Sequence, residues 1–429
     1  MKECRSRVAN AVRLILMFSL SVTACRFAAD LFTRSASAEE VFFVRVEAGK
    51  HDRVATRLSI PLPKSLHDFK RLGLCRSDDR GYVEGQVVGK GKSKRLVWQL
   101  EKKLSRGTTR TFEILPLTEK QQFERERIVC EQEDGKLQVR IGDNPVLDYN
   151  VATQEPPEGL PEYYRRSGYI HPLYSPSGKV VTGDFSNGHV HQHALFFAWT
   201  KAKFEDRAVE FWNQKLQLGQ VEHMKVLGTE SGGVVGKFQA SLRHSGLNDG
   251  KVTPILNEKW DVTISNRSDV YVIDLETTQE CATKNPLTIE KYHYGGMALR
   301  GTSQWELEKG KQTAVGMLTS DGADRLKGNH SRPNWVALFG PIDGEMNGVA
   351  GLSHPDNFRA PQYVRLHPTR PYFCFSPMVE KEFSIEPAKP FRARYRFIVY
   401  SGDTDKQMLQ SLWSDFADPP VVTVDELEE

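Results

Sequence analysis

Cysteine is scarce in this chain, with six in 429 residues, and no two of them form a C-x-x-C pair. That spacing excludes a zinc ribbon and a thioredoxin-type redox site. Long apolar runs are missing after the first 38 residues, so no later segment reads as membrane-spanning. A charge excess is missing too. The 58 basic and 55 acidic side chains leave a net of +3, and residues 1–38 hold six of the bases and two of the acids. The remainder carries 52 basic against 53 acidic groups. A nucleic-acid partner would call for a clustered cationic excess, so none is expected. Standard catalytic signatures are also absent: there is no G-x-S-x-G, H-E-x-x-H or G-x-G-x-x-G. Gln86 stands where a P-loop ending at Gly91-Lys92-Ser93 would need its first glycine.

What is present is ordinary globular composition, 39% hydrophobic and 26% charged, in a chain long enough for two or three domains. Residues 1–38 read as a signal peptide. Lys2, Arg5, Arg7 and Arg13 precede an apolar stretch, Leu14–Ala24, too short to span a bilayer. Ala36-Ser37-Ala38 offers a cleavage site before Glu39. Val22-Thr23-Ala24-Cys25 is the alternative, a lipoprotein box that lacks its usual Leu and is followed by Arg26. Either way the expected location is periplasmic or extracellular, with lipid anchoring at Cys25 as the minor variant. Cys75, Cys130, Cys281 and Cys374 remain; Cys75–Cys130 is the bridge to test, and buried thiols are the alternative.

Period-two alternation broken by Gly, Asn, Asp and Pro runs through the chain, as in antiparallel sheets. Val41–Val46, Arg95–Leu100 and Arg110–Leu115 read as strands. Lys136–Ile141 and Val146–Val151 flank Gly142-Asp143-Asn144-Pro145, a hairpin with turn chemistry in its loop. A proline-rich connector covers 154–161. Beyond it strands recur at His189–Trp199, Lys259–Ser265, Val270–Thr278, Thr288–Tyr294, Trp335–Phe339 and Arg392–Tyr400. Helical spacing is strong only over Thr404–Phe416, with Asp403 or Thr404 as its cap. The expectation is an all-β protein: an N-terminal β-domain over 39–152, a large antiparallel β-sandwich over 160–418 with one C-terminal helix, and an acidic tail over 419–429.

Four of the twelve histidines fall between positions 171 and 193. On a strand, His189, His191 and His193 would share one face, continued by Leu195, Phe197 and Trp199. Three readings compete. The histidines hold a divalent transition metal, or they serve a saccharide as acid and base beside an aromatic floor, or they are satisfied structural groups. Two later segments read as ligand contacts. Tyr292-His293-Tyr294-Gly295-Gly296 leads to Arg300, where glycine permits close backbone approach. His354-Pro355-Asp356-Asn357-Phe358-Arg359 packs a similar polar set into a Pro-bounded loop.

The ordered set of His171-Pro172-Leu173-Tyr174-Ser175-Pro176, the histidine triplet, Phe211-Trp212, Tyr294 through Arg300, and His354 through Arg359 resembles the bacterial PmoA-like family over about 160–400. The family's label, methane oxygenase, implies a copper membrane enzyme, which a chain without membrane-spanning segments does not support. The resemblance implies a sandwich similar to galactose mutarotase. The chain departs from the family at His189-Val190-His191-Gln192-His193-Ala194, where His-Pro-His-His-Arg-Gly is usual, which puts an anionic-substrate role at His193 in doubt.

The expected function is therefore saccharide binding in a cleft lined by His189, His191, His193 and Trp199, with His171, Tyr294, Arg300, His354, Asn357 and Arg359 as further contacts. As an enzyme, an epimerase, lyase or hydrolase, it would move a proton with His191 or His193 and need no cofactor. The alternatives are a metal-dependent enzyme on His189, His191 and His193, and a non-catalytic carbohydrate-binding or cell-surface module.

Overall fold

The structure, a computed structural model, describes residues 41–69, 71–117, 123–248, 250–267, 269–307 and 314–427. The signal-peptide reading lies outside the described residues. The protein is all-β: every named strand pairs antiparallel, and among the described residues one α-helix, Lys406–Ala417, joins a few 3-10 turns. Among the described residues no helix is long and apolar enough to cross a membrane.

The chain divides into two units, 1–124 with 420–429, and 125–419. In the first, a seven-stranded sheet runs Arg57–Pro61, Arg95–Gln99, Tyr82–Val88, Leu72–Arg76, Thr109–Pro116, Val41–Glu47, Val421–Leu427. Alternation decides its faces: Phe42, Val44 and Val46 are buried with Leu74, Trp98 and Phe112. The segment read as an acidic tail is an edge strand. Val424 lies opposite Val44, and Val422 packs on the core. The Lys136–Asn150 hairpin belongs to the second unit, so the division falls at 124 rather than near 152.

The second unit has two eight-stranded sheets. One runs Val364–Leu366, Tyr372–Phe375, Gly296–Arg300, Leu195–Ala198, Ile170–Leu173, Asn144–Asn150, Lys136–Ile141, Ile128–Glu133. The other runs Gly219–Glu230, Gly236–Asn248, Lys251–Arg267, Val270–Cys281, Phe391–Ser401, Glu345–Ser353, Trp335–Ile342, Gly316–Thr319. Their facing residues make one core, as in a sandwich: Phe197, Leu299 and Phe375 meet Trp260, Ile273 and Tyr395, and Phe375 stacks on Tyr395 at 5.1 Å. The outer face of the second sheet is buried as well. Val272, Ala350, Ile398 and Tyr400 point away from that core and receive Leu409 and Leu412 of the helix. Asp405, rather than Asp403 or Thr404, caps this helix, its Oδ1 accepting from the Gln407 and Met408 amides at 2.8 and 3.0 Å.

A buried imidazole–carboxylate pair lies inside the sandwich. His244 Nε2 meets Glu258 Oε2 at 2.7 Å, both side chains fully buried. Glu258 Oε1 accepts from Trp260, Thr277 and Gln279, and these bonds and the imidazole hold its carboxyl below the usual range against the burial that pushes it up. The four described cysteines are thiols, so the Cys75–Cys130 bridge does not form. Burial in the Ile128–Glu133 strand pushes the Cys130 thiol up to about 12.

Candidate functional site

The strand expected over His189–Trp199 is only Leu195–Ala198. Before it the backbone turns repeatedly, with Phe185 at φ +45°, Gly188 at +79° and Ala194 at +53°. Alternation therefore cannot apply, and the three imidazoles do not share a face. His193 points inward and is fully buried. Its Nδ1 lies 2.8 Å from Asp184 Oδ1 and its Nε2 lies 2.8 Å from Gln214 Oε1, so neither nitrogen is open to a ligand. The orientation of Gln214 is fixed, because its amide nitrogen donates to the carbonyls of Tyr164 and Arg165. Asp184 also accepts from Tyr169 Oη and the Phe185 amide. His171 stands behind this group, bonded through Nδ1 to Thr182 at 3.0 Å.

His189 and His191 are half-buried and turn elsewhere, with ring centroids 5.6 Å apart. His189 stands edge-on to His367 at 5.1 Å, and His367 leans on Tyr372 at 5.4 Å. The row continues from Tyr372 to Trp212 at 6.3 Å and from Trp212 to Tyr294 at 5.3 Å. Gly188 lets the loop come close: a Cβ there would sit 2.8 Å from Arg370 Nη2. Beneath the rings Arg300 is fully buried, giving Nη1 to Gln192 Oε1 at 2.7 Å and Nη2 to Glu306. The other Glu306 oxygen accepts from Arg370 Nη1 at 3.0 Å.

This setting keeps the imidazoles neutral. Burial first, then the neighbouring His189, His193 and Arg300, lowers His191 to about 4. Burial, His189 and the Arg365, Arg300 and Arg370 guanidiniums lower His367 to about 3. Burial and two of those arginines lower His189 as well. The His367 tautomer is set by the backbone: Nδ1 accepts from the Thr369 and Arg370 amides at 3.2 and 2.9 Å, so Nε2 carries the proton. His189 Nδ1 is buried and has no hydrogen-bond partner.

The remaining expected contacts do other work. Trp199 is fully buried, packs on Phe383 and Phe391, and donates to Gln279 at 2.6 Å, so it is no cleft floor. His354 packs edge-on to Phe416 of the helix at 4.8 Å. Asn357 bonds the Arg394 backbone through both its amide atoms. Arg359 gives its guanidinium to the carbonyls of Pro377, Lys381 and Glu382. Gly295 and Gly296 make their close approach to Met378 and to the Phe375 carbonyl, not to an open cleft. A cavity of about 320 Å³ lies beside this loop, lined by Asp356, Phe358, Phe383, Lys389 and Phe391 among others. The metal reading does not fit the histidine triplet, since His193 has no nitrogen to offer. Among the described residues no three His, Cys, Asp or Glu side chains are grouped to hold a metal ion.

Residues 136–414, which include this whole site, match the model of a family of unknown function, DUF6807. The chain belongs to DUF6807. That match overturns the PmoA-like resemblance. No curated protein matches the chain. Among solved structures, an alpha-mannosidase from Enterococcus faecalis V583 is similar at a TM-score of 0.44 and 11% identity, over 92% of this chain and 46% of that one. The DUF6807 chain thus spans just under half of that enzyme's length.

Within the DUF6807 region, sequence reading missed His367, Tyr372, Arg370 and Glu306. A signal was available for three of them. His367-Pro368-Thr369-Arg370-Pro371-Tyr372 repeats the Pro-bounded polar pattern that singled out His354-Pro355, and here the pattern does reach the cluster.

Proposed function

We propose that the second unit binds a saccharide at the cluster of His189, His191, His367 and Tyr372, and moves a proton on it. The observation that carries this reading is the pairing of His189 with His367. Two neutral imidazoles stand 5.1 Å apart, one with an unpartnered buried nitrogen and the other with its proton fixed on Nε2. Such a pair supplies an acceptor and a donor at neutral pH. Tyr294, half-buried, adds a face on which a sugar ring stacks, and hydroxyls find a donor in the partly exposed Arg370. The step is proton transfer at a sugar carbon or glycosidic bond, common to epimerases, lyases and hydrolases. Export belongs to the same reading and predicts a mature chain beginning at Glu39.

The test is product formation from a panel of oligosaccharides by the wild-type chain and by His189→Ala, His191→Ala and His367→Gln. Loss of turnover with an unchanged circular dichroism spectrum is the expected result. Turnover retained in all three contradicts the assignment. Saturable binding without product leaves a carbohydrate-binding module.

A further inference from the structure

A buried guanidinium without an acceptor is costly, and proteins rarely keep one without a use for it. Arg325 is 7% exposed, and neither its Nη1 nor its Nη2 has a hydrogen-bond partner. Its neighbour Asp324 is engaged elsewhere, Oδ1 accepting from the Leu326 and Lys327 amides at 2.9 Å. This turn lies along the Val364–Leu366 strand. Asn329 Oδ1 accepts from the Leu366 amide at 3.0 Å and from Arg365 Nη1 at 3.1 Å. The residue after that strand is His367, so the turn runs along the cluster's own strand, with Arg325 within electrostatic reach of Glu306.

Three guanidiniums, Arg300, Arg365 and Arg370, stand around His367, and Arg325 lies within electrostatic reach of the Glu306 that two of them share. The carboxylates that meet them among the described residues are Glu306, shared by Arg300 and Arg370, and Asp324. Further donors lack acceptors as well: Arg300 Nε, Arg365 Nε and Trp212 Nε1 are buried and unpartnered. The site is short of acceptor atoms and of negative charge, which is the complement of an anion.

We infer that the ligand carries a carboxylate, as a uronic acid does, and that its oxygens complete the hydrogen bonding of Arg325. The inference rests on the saccharide reading and names the substrate class of that site. A planar carboxylate matches the guanidinium fork; inorganic sulfate shares the oxyanion chemistry and serves as the control.

The experiment is calorimetric titration of the whole chain at low salt. The probes are the trisaccharides of galacturonate, mannuronate and guluronate, neutral galactotriose, and sodium sulfate. One of the uronates is expected to bind, with galactotriose at least about tenfold weaker, as loss of a charge-assisted hydrogen bond implies. Arg325→Met is expected to weaken the uronate by about tenfold or more while the ligand-free melting temperature holds or rises, since a buried unpaired charge has been removed. Arg370→Gln, at a half-exposed position, repeats the test should Arg325→Met not fold. Uronate affinity unchanged in the variants overturns the inference. Galactotriose bound as tightly as the uronates overturns it and leaves the saccharide reading standing. Sulfate binding that needs Arg325, with no trisaccharide bound, supports the anion site and overturns the saccharide reading. No binding by any probe overturns both.

Discussion

The His367 ring meets the His189 ring edge-on, with centroids 5.1 Å apart and planes at 78°. The two come from segments 178 positions apart, a loop before one strand of the first eight-stranded sheet and the turn between its last two. Around them, burial and a ring of guanidiniums hold the imidazoles neutral.

That neutrality is measurable. Long-range proton–nitrogen spectra of imidazole-labelled protein at pH 6 should show His191 and His367 uncharged, because their values lie at about 4 and about 3. Imidazolium signals from both at pH 6 would contradict the electrostatic account.

It also has a stability consequence. A histidine lowered in the fold leaves the unfolded chain holding the extra proton between the two values, so stability rises with pH across that window. For His191 the window runs from about 6.5 down to about 4, and stability is lost as pH falls through it. The loss amounts to up to about 3 kcal/mol, at 1.36 kcal/mol per unit. Denaturant melts of His191→Gln against wild type should therefore converge at low pH, and a constant gap would count against this.

Glu258 carries a second pH-dependent contribution, of the same sign. Glu258→Ala strands the His244 imidazole and three donors in the core and should cost about 3–5 kcal/mol in urea unfolding. Glu258→Gln keeps most of the hydrogen bonding and should cost less. Because its folded value is lowered, the contribution of Glu258 is present above the ordinary carboxylate range and is lost as pH falls below it. A neutral Glu258→Ala would contradict the buried pair.

The thiols provide a chemical check. In denaturant without reductant, Cys75, Cys130, Cys281 and Cys374 should all alkylate. In the folded chain Cys130 and Cys374 should resist, since burial raises them to about 12 and about 11. Recovery of a Cys75–Cys130 bridged peptide would contradict the structure.

Strand alternation carried most of the fold into view. Val41–Val46, Lys136–Ile141, Val270–Thr278 and Arg392–Tyr400 all form close to their read bounds, because a half-buried strand must repeat every two residues. The same rule failed at His189–His193. A period-two pattern over five residues looks alike in a strand and in a turn, and the left-handed residues that decide it include Phe185 and Ala194, which carry no turn signature. The edge strand Val421–Leu427 was hidden by its acidic composition, since only pairing with Val41–Glu47 orders it. At the site, Tyr294, Arg300, His189 and His191 were legible from local motifs. Glu306 was not, because a lone acid gains meaning only from what the fold sets beside it.

The most direct test of the central claim is hydrogen–deuterium exchange of the whole chain with and without the tightest-binding trisaccharide. The account predicts protection in segments 186–194, 324–331 and 364–372. Protection confined to 354–361 and 383–392, the walls of the cavity beside Phe358, would contradict it and move the ligand site there.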